Sequence, residues 1–330
     1  MIRRRSFITL LGGAVAWPLA ARAQQQERTA HIGIFSYLRE NDPEAKIYNE
    51  AFLKRLAEIG WSQGHNLRTE YRWTGGNAAL IRQYAAELAA LSLEVVLVAG
   101  GSHVGPLQQV TRTLPIVFVQ VADAVGAGFV ESLARPGGNA TGFTNFEFDI
   151  SGKWLELLKQ MAPSMTRTAV LRDPRNPSGA GQFGVIQALA RTVGVTEVRV
   201  VGLQDAADIE RGIMAFAGKP DGGLIVTPNG PAIVHRELIV GLAARYKLPA
   251  VYPFRNFVES GGLLAYGPDP VDQYRRAAVY VDRILKGVKP GELPVEQSTR
   301  LDLSLNLRTA RSLGITVPDT LLARADVVLE

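Results

Sequence analysis

The stretch VVLVAGGSHVG, residues 95–105, decides the fold. An unbroken apolar run meets a Gly-Gly-Ser turn, and residues with the character of a helix follow. A short apolar run of this kind is typical of a strand that is buried on both faces. A second one, PIVFVQVAD at 115–123, comes after HVGPLQQVTR. Strand, turn, helix and strand in this order predict a parallel sheet with helices on both faces.

The same alternation extends in both directions along the chain. Strands are predicted at 31–37, 67–73, 167–173, 196–202, 221–228, 248–254 and 261–267, with amphipathic stretches between them. The cluster ARPGGNATGF at 134–143 breaks this rhythm, and we interpret it as the first crossing between two lobes. An amphipathic helix over 271–287 and a last strand in TRLDLSLN suggest that the chain crosses again near its end.

The predicted class is therefore α/β, with two Rossmann-like lobes whose parallel central sheets are joined by a hinge of several strands. A chain of 330 residues is long enough for two such cores. We expect residues 29–143 plus 269–290 to form the N-terminal lobe. Residues 144–268 plus 291–330 are expected to form the C-terminal lobe.

The N-terminus has the pattern of a secretory signal peptide over residues 1–23. A basic MIRRRSF is followed by a short apolar run and by Ala21-Arg22-Ala23, the small residues that a signal peptidase reads. Arg4-Arg5-Ser6-Phe7-Ile8 also resembles a twin-arginine signal, so both export routes stay open. The alternative is an untargeted amphipathic N-terminus.

Charge and cysteine content restrict the partners and the compartment. Removing the signal takes four of the 36 basic residues and leaves 32 against 31 acidic ones. No strongly basic balance remains, and a nucleic-acid partner is not expected. The chain has no cysteine, hence no disulfide and no lipid anchor. We expect a soluble, unanchored protein of a Gram-negative periplasm, most simply a monomer.

Ligands of open α/β sheets bind outside the carboxyl ends of the strands. This rule selects the candidate ligand-binding residues from sequence order alone. They are Ser36, Tyr37, Gly101, Ser102, His103, Asp123, Asn176, Thr227, Asn229, Tyr252, Phe254 and Tyr266.

Within this set, Gly101, Ser102 and His103 are predicted to seat a carboxylate. The first N–H groups of a helix have no internal partners and lie at the positive end of its dipole. Asp123 could then bind a ligand ammonium, and the aromatic residues suit an apolar or aromatic ligand. The alternative is a plain strand-to-helix turn in which Ser102 is the N-cap.

Motifs for catalysis, metals and cofactors are absent. There is no glycine-rich dinucleotide motif, no P-loop and no histidine pair at metal spacing. GGSHVG differs from a nucleophile elbow because Val104 stands where the second glycine is expected. We therefore predict no catalytic residue, no metal and no cofactor.

Several blocks spread through the chain resemble the ABC-transporter substrate-binding proteins related to tryptophan- and tyrosine-binding proteins. The blocks are NLRTEYRW (66–73), ADAVGAGFVESLARPGGNATGF (122–143), SGKWLELLK (151–159), NFVESGGLLAYGPD (256–269), RRAAVYVDRILKG (275–287), ELPVEQ (292–297), NLRTARSLGI (306–315) and LLARAD (321–326). The resemblance implies the type I periplasmic-binding fold, capture of a ligand by hinge closure, and delivery to a permease in the inner membrane.

The positions that match the family's pattern are the Gly100–Ser102 turn, Asp123, Asn176, Tyr252 and Tyr266-Gly267. The chain departs from that pattern at TNFEFD (144–149) and TPNGPAIVH (227–235), two stretches expected to border the ligand.

The favoured function is a periplasmic binding protein for a small carboxylate-bearing ligand, an amino acid or a related aromatic acid. An exported hydrolase-like enzyme that uses Ser102 is the alternative. A third interpretation, the sensing half of a regulator, lacks a DNA-binding segment.

Overall fold

A computed structural model describes residues 28–145, 150–176, 178–298 and 300–330. The signal peptide predicted for 1–23 lies outside the described residues. The described strands, in chain order, are β1 (Ala30–Ser36), β2 (Leu67–Trp73), β3 (Val95–Ala99), β4 (Ile116–Val121), β5 (Ala140–Thr144), β6 (Arg167–Arg172), β7 (Glu197–Gly202), β8 (Gly222–Val226), β9 (Ala250–Tyr252), β10 (Leu264–Gly267), β11 (Glu296–Gln297), β12 (Asp302–Asn306) and β13 (Val327–Leu329).

These strands form two sheets. The first has the order β11-β5-β4-β3-β1-β2 and is parallel throughout. The second has the order β13-β12-β10-β9-β8-β6-β7 and is parallel except for the β10–β12 pair. The predicted α/β class is confirmed, with this one antiparallel pair as a difference. We call each sheet, with the helices packed on it, the first lobe and the second lobe.

Helices connect the strands. They are α1 (Pro43–Glu58), α2 (Ala78–Ala90), α3 (Gly101–Val110), α4 (Ile150–Met161), α5 (Ser178–Ala190), α6 (Ala206–Ala217), α7 (Gly230–Val234), α8 (Arg236–Arg245), α9 (Arg255–Glu259), α10 (Pro270–Leu285), α11 (Leu307–Leu313) and α12 (Asp319–Leu322). Asp or Asn side chains cap several of them: Asp42, Asn77, Asp205, Asn229, Asp269 and Asn306. Such caps satisfy N–H groups that have no partner within the helix. None of the described helices is long and apolar enough to cross a bilayer.

The central strands are buried on both faces. Every residue of β3 and of β4 is buried, as the apolar runs predicted. One hydrophobic cluster continues from the first lobe into the second, and it contains Tyr37 and Val119 as well as Val226 and Tyr252. The two lobes are therefore packed against each other.

The stretch that we interpreted as a crossing, 134–143, instead contributes β5 to the first sheet. Its Gly142 has φ of 152°, and a Cβ there would lie 2.0 Å from the carbonyl oxygen of Phe118. Only glycine permits this approach.

The crossing follows β5. Moreover, β11 pairs with β5 in the first sheet, although the sequence placed 291–330 in the second lobe. The lobe boundaries themselves stay a prediction.

The described strands show that the chain passes between the sheets three times, and one side chain joins the three passages. Gln273, fully buried in α10, donates from Nε2 to Asn145 Oδ1 at 2.8 Å and to Ser298 Oγ at 3.0 Å. Asn145 follows β5, Ser298 follows β11, and α10 begins after β10. The connections between the lobes are thus tied to each other.

Candidate functional site

The carboxyl ends of the two sheets face each other at the junction of the lobes, where residues of both lobes are in contact; we call this junction the interlobe gap. Gly101 of the first lobe lies close to Asn176 of the second, since a Cβ at Gly101 would be 3.6 Å from Asn176 Oδ1. A Cβ at Gly230, the first residue of α7, would be 2.8 Å from Cβ of Tyr37. The fold therefore brings Tyr37, Gly101 and Asn176, three of the predicted residues, to one place.

Helix α3 begins at Gly101 without a side-chain cap. Gly100 occupies the N-cap position with φ of 83°, a left-handed conformation that glycine adopts without strain. Ser102 is not the cap that the alternative interpretation expected, because its Oγ lies 3.1 Å from His103 Nδ1. The N–H of His103 donates to the carbonyl of Gly100 at 3.1 Å, so of the three residues predicted to seat a carboxylate only Gly101 and Ser102 stay candidates for that role.

His103 is fully buried next to this seat. Its Nε2 lies 2.9 Å from Thr74 Oγ1, and its ring meets Phe35 edge-on at a centroid distance of 4.6 Å. Burial, with a contribution from the positive charge of Arg175, lowers the pKa of His103 to about 3. The imidazole is neutral at pH 7. A ring of such low basicity is a poor general base, which argues against the hydrolase alternative.

Ser36 and Tyr37 are buried at the end of β1. The Tyr37 hydroxyl donates to Gln120 Oε1 at 2.7 Å, and Ser36 Oγ accepts the N–H of Leu38. Desolvation is the main cause that raises the pKa of Tyr37 well above its usual value. Tyr37 is a neutral hydrogen-bonding group at any physiological pH.

Asp123, predicted to bind an ammonium, lies half-buried after β4 in a left-handed conformation with φ of 45°. Its Oδ1 accepts the N–H of Gly126 at 2.8 Å, which fixes the carboxylate on its own loop. The preceding carbonyl, that of Ala122, accepts a hydrogen bond from Ser178 Oγ of the second lobe. Asp123 thus lies beside an interlobe contact.

The polar residues of the second lobe hold its strand-end loops. Asn176 Nδ2 donates to the carbonyl of Pro228, Thr227 Oγ1 donates to that of Leu171, and Asn229 caps α7 through the N–H of Ala232. These bonds shape the wall that faces Gly101.

The predicted aromatic residues belong to the packed interior of the second lobe. Tyr252 stacks on Phe257 at 4.9 Å, and burial raises its pKa. Phe254 is buried as well. Tyr266 is half-buried, and its carbonyl accepts the indole N–H of Trp154. The structure places these rings in or beside the core, with Tyr266 as the more accessible one.

Two charged contacts across the gap were not predicted. Arg175 makes a two-pronged contact with the buried Asp173, and its Nη1 reaches the carbonyl of Gly76 in the first lobe at 3.4 Å. Arg236 of α8 lies 3.9 Å from Glu44 of α1. Thr74 was also missed, although it follows β2 directly and the strand-end rule would have selected it.

Within the described residues, His, Asp and Glu side chains form no group of three that could hold a metal ion. The site consists of backbone N–H groups, hydroxyls, amides and a few charges, which is suited to binding a small polar molecule.

The sequence matches the family described as "ABC transporter substrate binding protein" over residues 33–329. The chain belongs to this family. Its members are ligand-binding proteins without enzymatic activity. The resemblance inferred from the sequence blocks is thus confirmed, and so is the prediction that the protein is not an enzyme.

Individual relatives of this substrate-binding protein cover most of its length. A "Tyrosine-binding protein" of Clostridioides difficile is 24% identical over 88% of this chain and 82% of its own. A conserved domain protein of Vibrio cholerae has a TM-score of 0.84 at 27% identity, covering 91% of this chain and 100% of its own. An ABC domain of Streptococcus pneumoniae in complex with L-Trp has a TM-score of 0.81 at 23% identity, covering 90% and 100%.

Proposed function

We propose that this substrate-binding protein captures a free amino acid with an aromatic side chain in the interlobe gap and delivers it to an ABC importer. The observation that carries the proposal is the uncapped start of α3 at Gly101, which faces the second lobe at Asn176. N–H groups without a partner at the positive end of a helix favour a carboxylate, and among the described residues Gly101 and Ser102 provide them here, since the N–H of His103 donates to the carbonyl of Gly100. Tyrosine and tryptophan are named for two relatives of the chain, which supports this ligand class.

In this proposal Asp123 supplies the negative charge for the ligand's ammonium. The two lobes close around the ligand, and the ligand stabilises the closed form by its differential affinity. The protein acts as a monomer in the periplasm after loss of residues 1–23, and its partner is the permease in the inner membrane. No nucleic acid takes part.

Three probes that differ in one group each test the ligand class. L-Tyrosine has both charges, 3-(4-hydroxyphenyl)propanoate lacks the ammonium, and tyramine lacks the carboxylate. We expect calorimetry to rank L-tyrosine first. Tyramine should bind weakest, because it has no carboxylate for the N–H groups at the start of α3. A ligand at a hundred times its Kd stabilises the fold by about 2.7 kcal/mol, which a thermal melt detects.

The variant Asp123→Asn tests the ammonium role. Asn keeps the oxygen that accepts the Gly126 N–H and removes the charge. It should weaken the binding of L-tyrosine by at least about tenfold and leave the affinity for the propanoate unchanged. A factor of ten corresponds to about 1.4 kcal/mol of binding free energy. Equal losses for both probes would remove Asp123 from ligand binding. Failure of every amino acid to bind would contradict the proposed function.

A further inference from the structure

One ion pair joins the lobes at a distance from the strand ends. Glu44 lies in the first turn of α1, and Arg236 is the first residue of α8. Arg236 Nη1 and Glu44 Oε1 are 3.9 Å apart, and the two side chains are 13% and 12% exposed. Neither residue is among the candidate ligand-binding residues. The pair therefore connects the two lobes directly, outside the candidate ligand-binding residues.

Each partner is held by its own lobe. Arg236 Nε donates to Ser260 Oγ at 2.8 Å, while the N–H of Glu44 donates to Asp42 Oδ1 at 2.9 Å. Among the described residues, Arg236 Nη1 is buried without a hydrogen-bond partner. The carboxylate of Glu44 thus provides the charge that compensates this nitrogen when the lobes are together.

The pair changes its solvent environment when the lobes move. In separated lobes each charge is free to be hydrated. In the packed lobes both have lost most of their water, and their mutual attraction offsets the desolvation together with the Arg236–Ser260 hydrogen bond. Removing one partner leaves a buried, uncompensated charge, which is more costly than removing both. The pair therefore affects the packed form much more than the separated one.

We propose that Glu44 and Arg236 form an interlobe latch, a positioning pair that sets the ligand affinity without touching the ligand. The latch rests on the proposed function in one respect, that the ligand binds between closing lobes. A ligand's apparent affinity falls in proportion to the population of the competent form, so a weaker latch means weaker binding.

Other ion pairs serve as matched controls because they lie within one lobe. Arg255 and Glu259 pair within α9 and are about half exposed. Losing a charge there changes nothing between the lobes, and surface pairs contribute little in any case. Glu259→Gln is therefore the control for Glu44→Gln.

The test measures the distance between the lobes directly. The chain has no cysteine, so cysteines introduced at the exposed positions Arg82 and Glu210 can carry two spin labels. Distances are recorded without ligand and with L-tyrosine. The variants are Glu44→Gln, Arg236→Met, the double variant and the control Glu259→Gln.

We expect each single latch variant to shift the ligand-free distances toward longer values and to weaken the binding of L-tyrosine by about tenfold. The double variant should recover much of both the distances and the affinity. The control should match the parent protein. Unchanged distances in both single variants would overturn the latch, and so would a double variant whose effect is the sum of the singles. If the distances respond but the parent does not bind L-tyrosine, the latch stands and the proposed function fails.

Discussion

The side chain of Gln273 accepts the backbone N–H of Gln120 at 2.8 Å, although 153 residues separate the two in sequence. Gln120 has φ of 56°, a left-handed conformation that is uncommon outside glycine. Its own side chain accepts the hydroxyl of Tyr37 in the interlobe gap. A continuous chain of hydrogen bonds thus runs from the candidate site to the three passages between the lobes.

Gln273→Leu should destabilise the whole protein. Leucine fills a similar volume but leaves the N–H of Gln120 and the acceptors on Asn145 and Ser298 without partners. We expect a loss of about 2–4 kcal/mol in the free energy of unfolding by urea, from several buried groups at about 1–3 kcal/mol each. Gln83→Leu, on an exposed helix face, should stay within about 0.5 kcal/mol. Similar losses in the two variants would show that the buried bonds contribute nothing.

Gly230→Ala should hinder the closing of the gap. Its new methyl group would lie 2.8 Å from Cβ and 3.0 Å from Cγ of Tyr37. These two atoms can move only if the backbone at the end of β1 moves with them. Overpacking of this kind costs about 1–3 kcal/mol. We expect calorimetry to give a correspondingly weaker affinity for L-tyrosine. Gly241→Ala is the matched control, since nothing lies within 4 Å of its added Cβ. An unchanged affinity in Gly230→Ala would mean that the lobes need not approach this closely.

His103 should make the protein less stable in acid. Its folded pKa of about 3 lies below the unfolded value near 6.5, so only the unfolded chain binds the proton between these values. The contribution of His103 is complete above pH 6.5 and is lost as the pH falls toward 3, by about 1.4 kcal/mol per pH unit. Comparing urea unfolding of the parent and His103→Gln at pH 7 and pH 5 checks this. Parallel losses in both proteins would contradict a neutral buried ring.

Arg167→Lys should weaken the second lobe. The guanidinium bonds to Glu197 and to the carbonyls of Phe216, Lys219 and Pro220, and it lies 4.5 Å from the Phe216 ring centre. A lysine ammonium cannot reproduce this planar fork. We expect a loss of about 1–3 kcal/mol in unfolding free energy. Arg199→Lys, exposed on β7, is the control and should change it little. A thermal melt that ranks the two variants equally would contradict this role of Arg167.

Much of the fold follows from local patterns. The apolar runs of β3 and β4 predicted buried parallel strands, because such strands have no solvent face. The strand β5 was missed because its glycine is typical of a turn, and its use in a strand depends on the backbone of Phe118 in a neighbouring strand. The antiparallel β10–β12 pair depends on the chain returning from the first lobe, which no local window of sequence contains.

The site was predictable to a similar extent. The strand-end rule depends only on element order, and it selected Tyr37, Gly101 and Asn176, which the structure brings together. The Glu44–Arg236 pair was not found, because its partners come from helices that meet only when both lobes are assembled. Charges on amphipathic helices are usually solvated, and nothing in the sequence distinguishes these two.

The pairing of β11 with β5, and of Gln273 with Gln120, has a consequence for biosynthesis. The first sheet begins at residue 30 but is completed only by residues 296–297, and the N–H of Gln120 within it finds its acceptor only at residue 273. A growing polypeptide cannot finish this unit until residues 296–297 have been made, whereas domains contiguous in sequence fold one after another as they emerge. The first lobe therefore stays incomplete while strands β6 to β10 of the second lobe are synthesised.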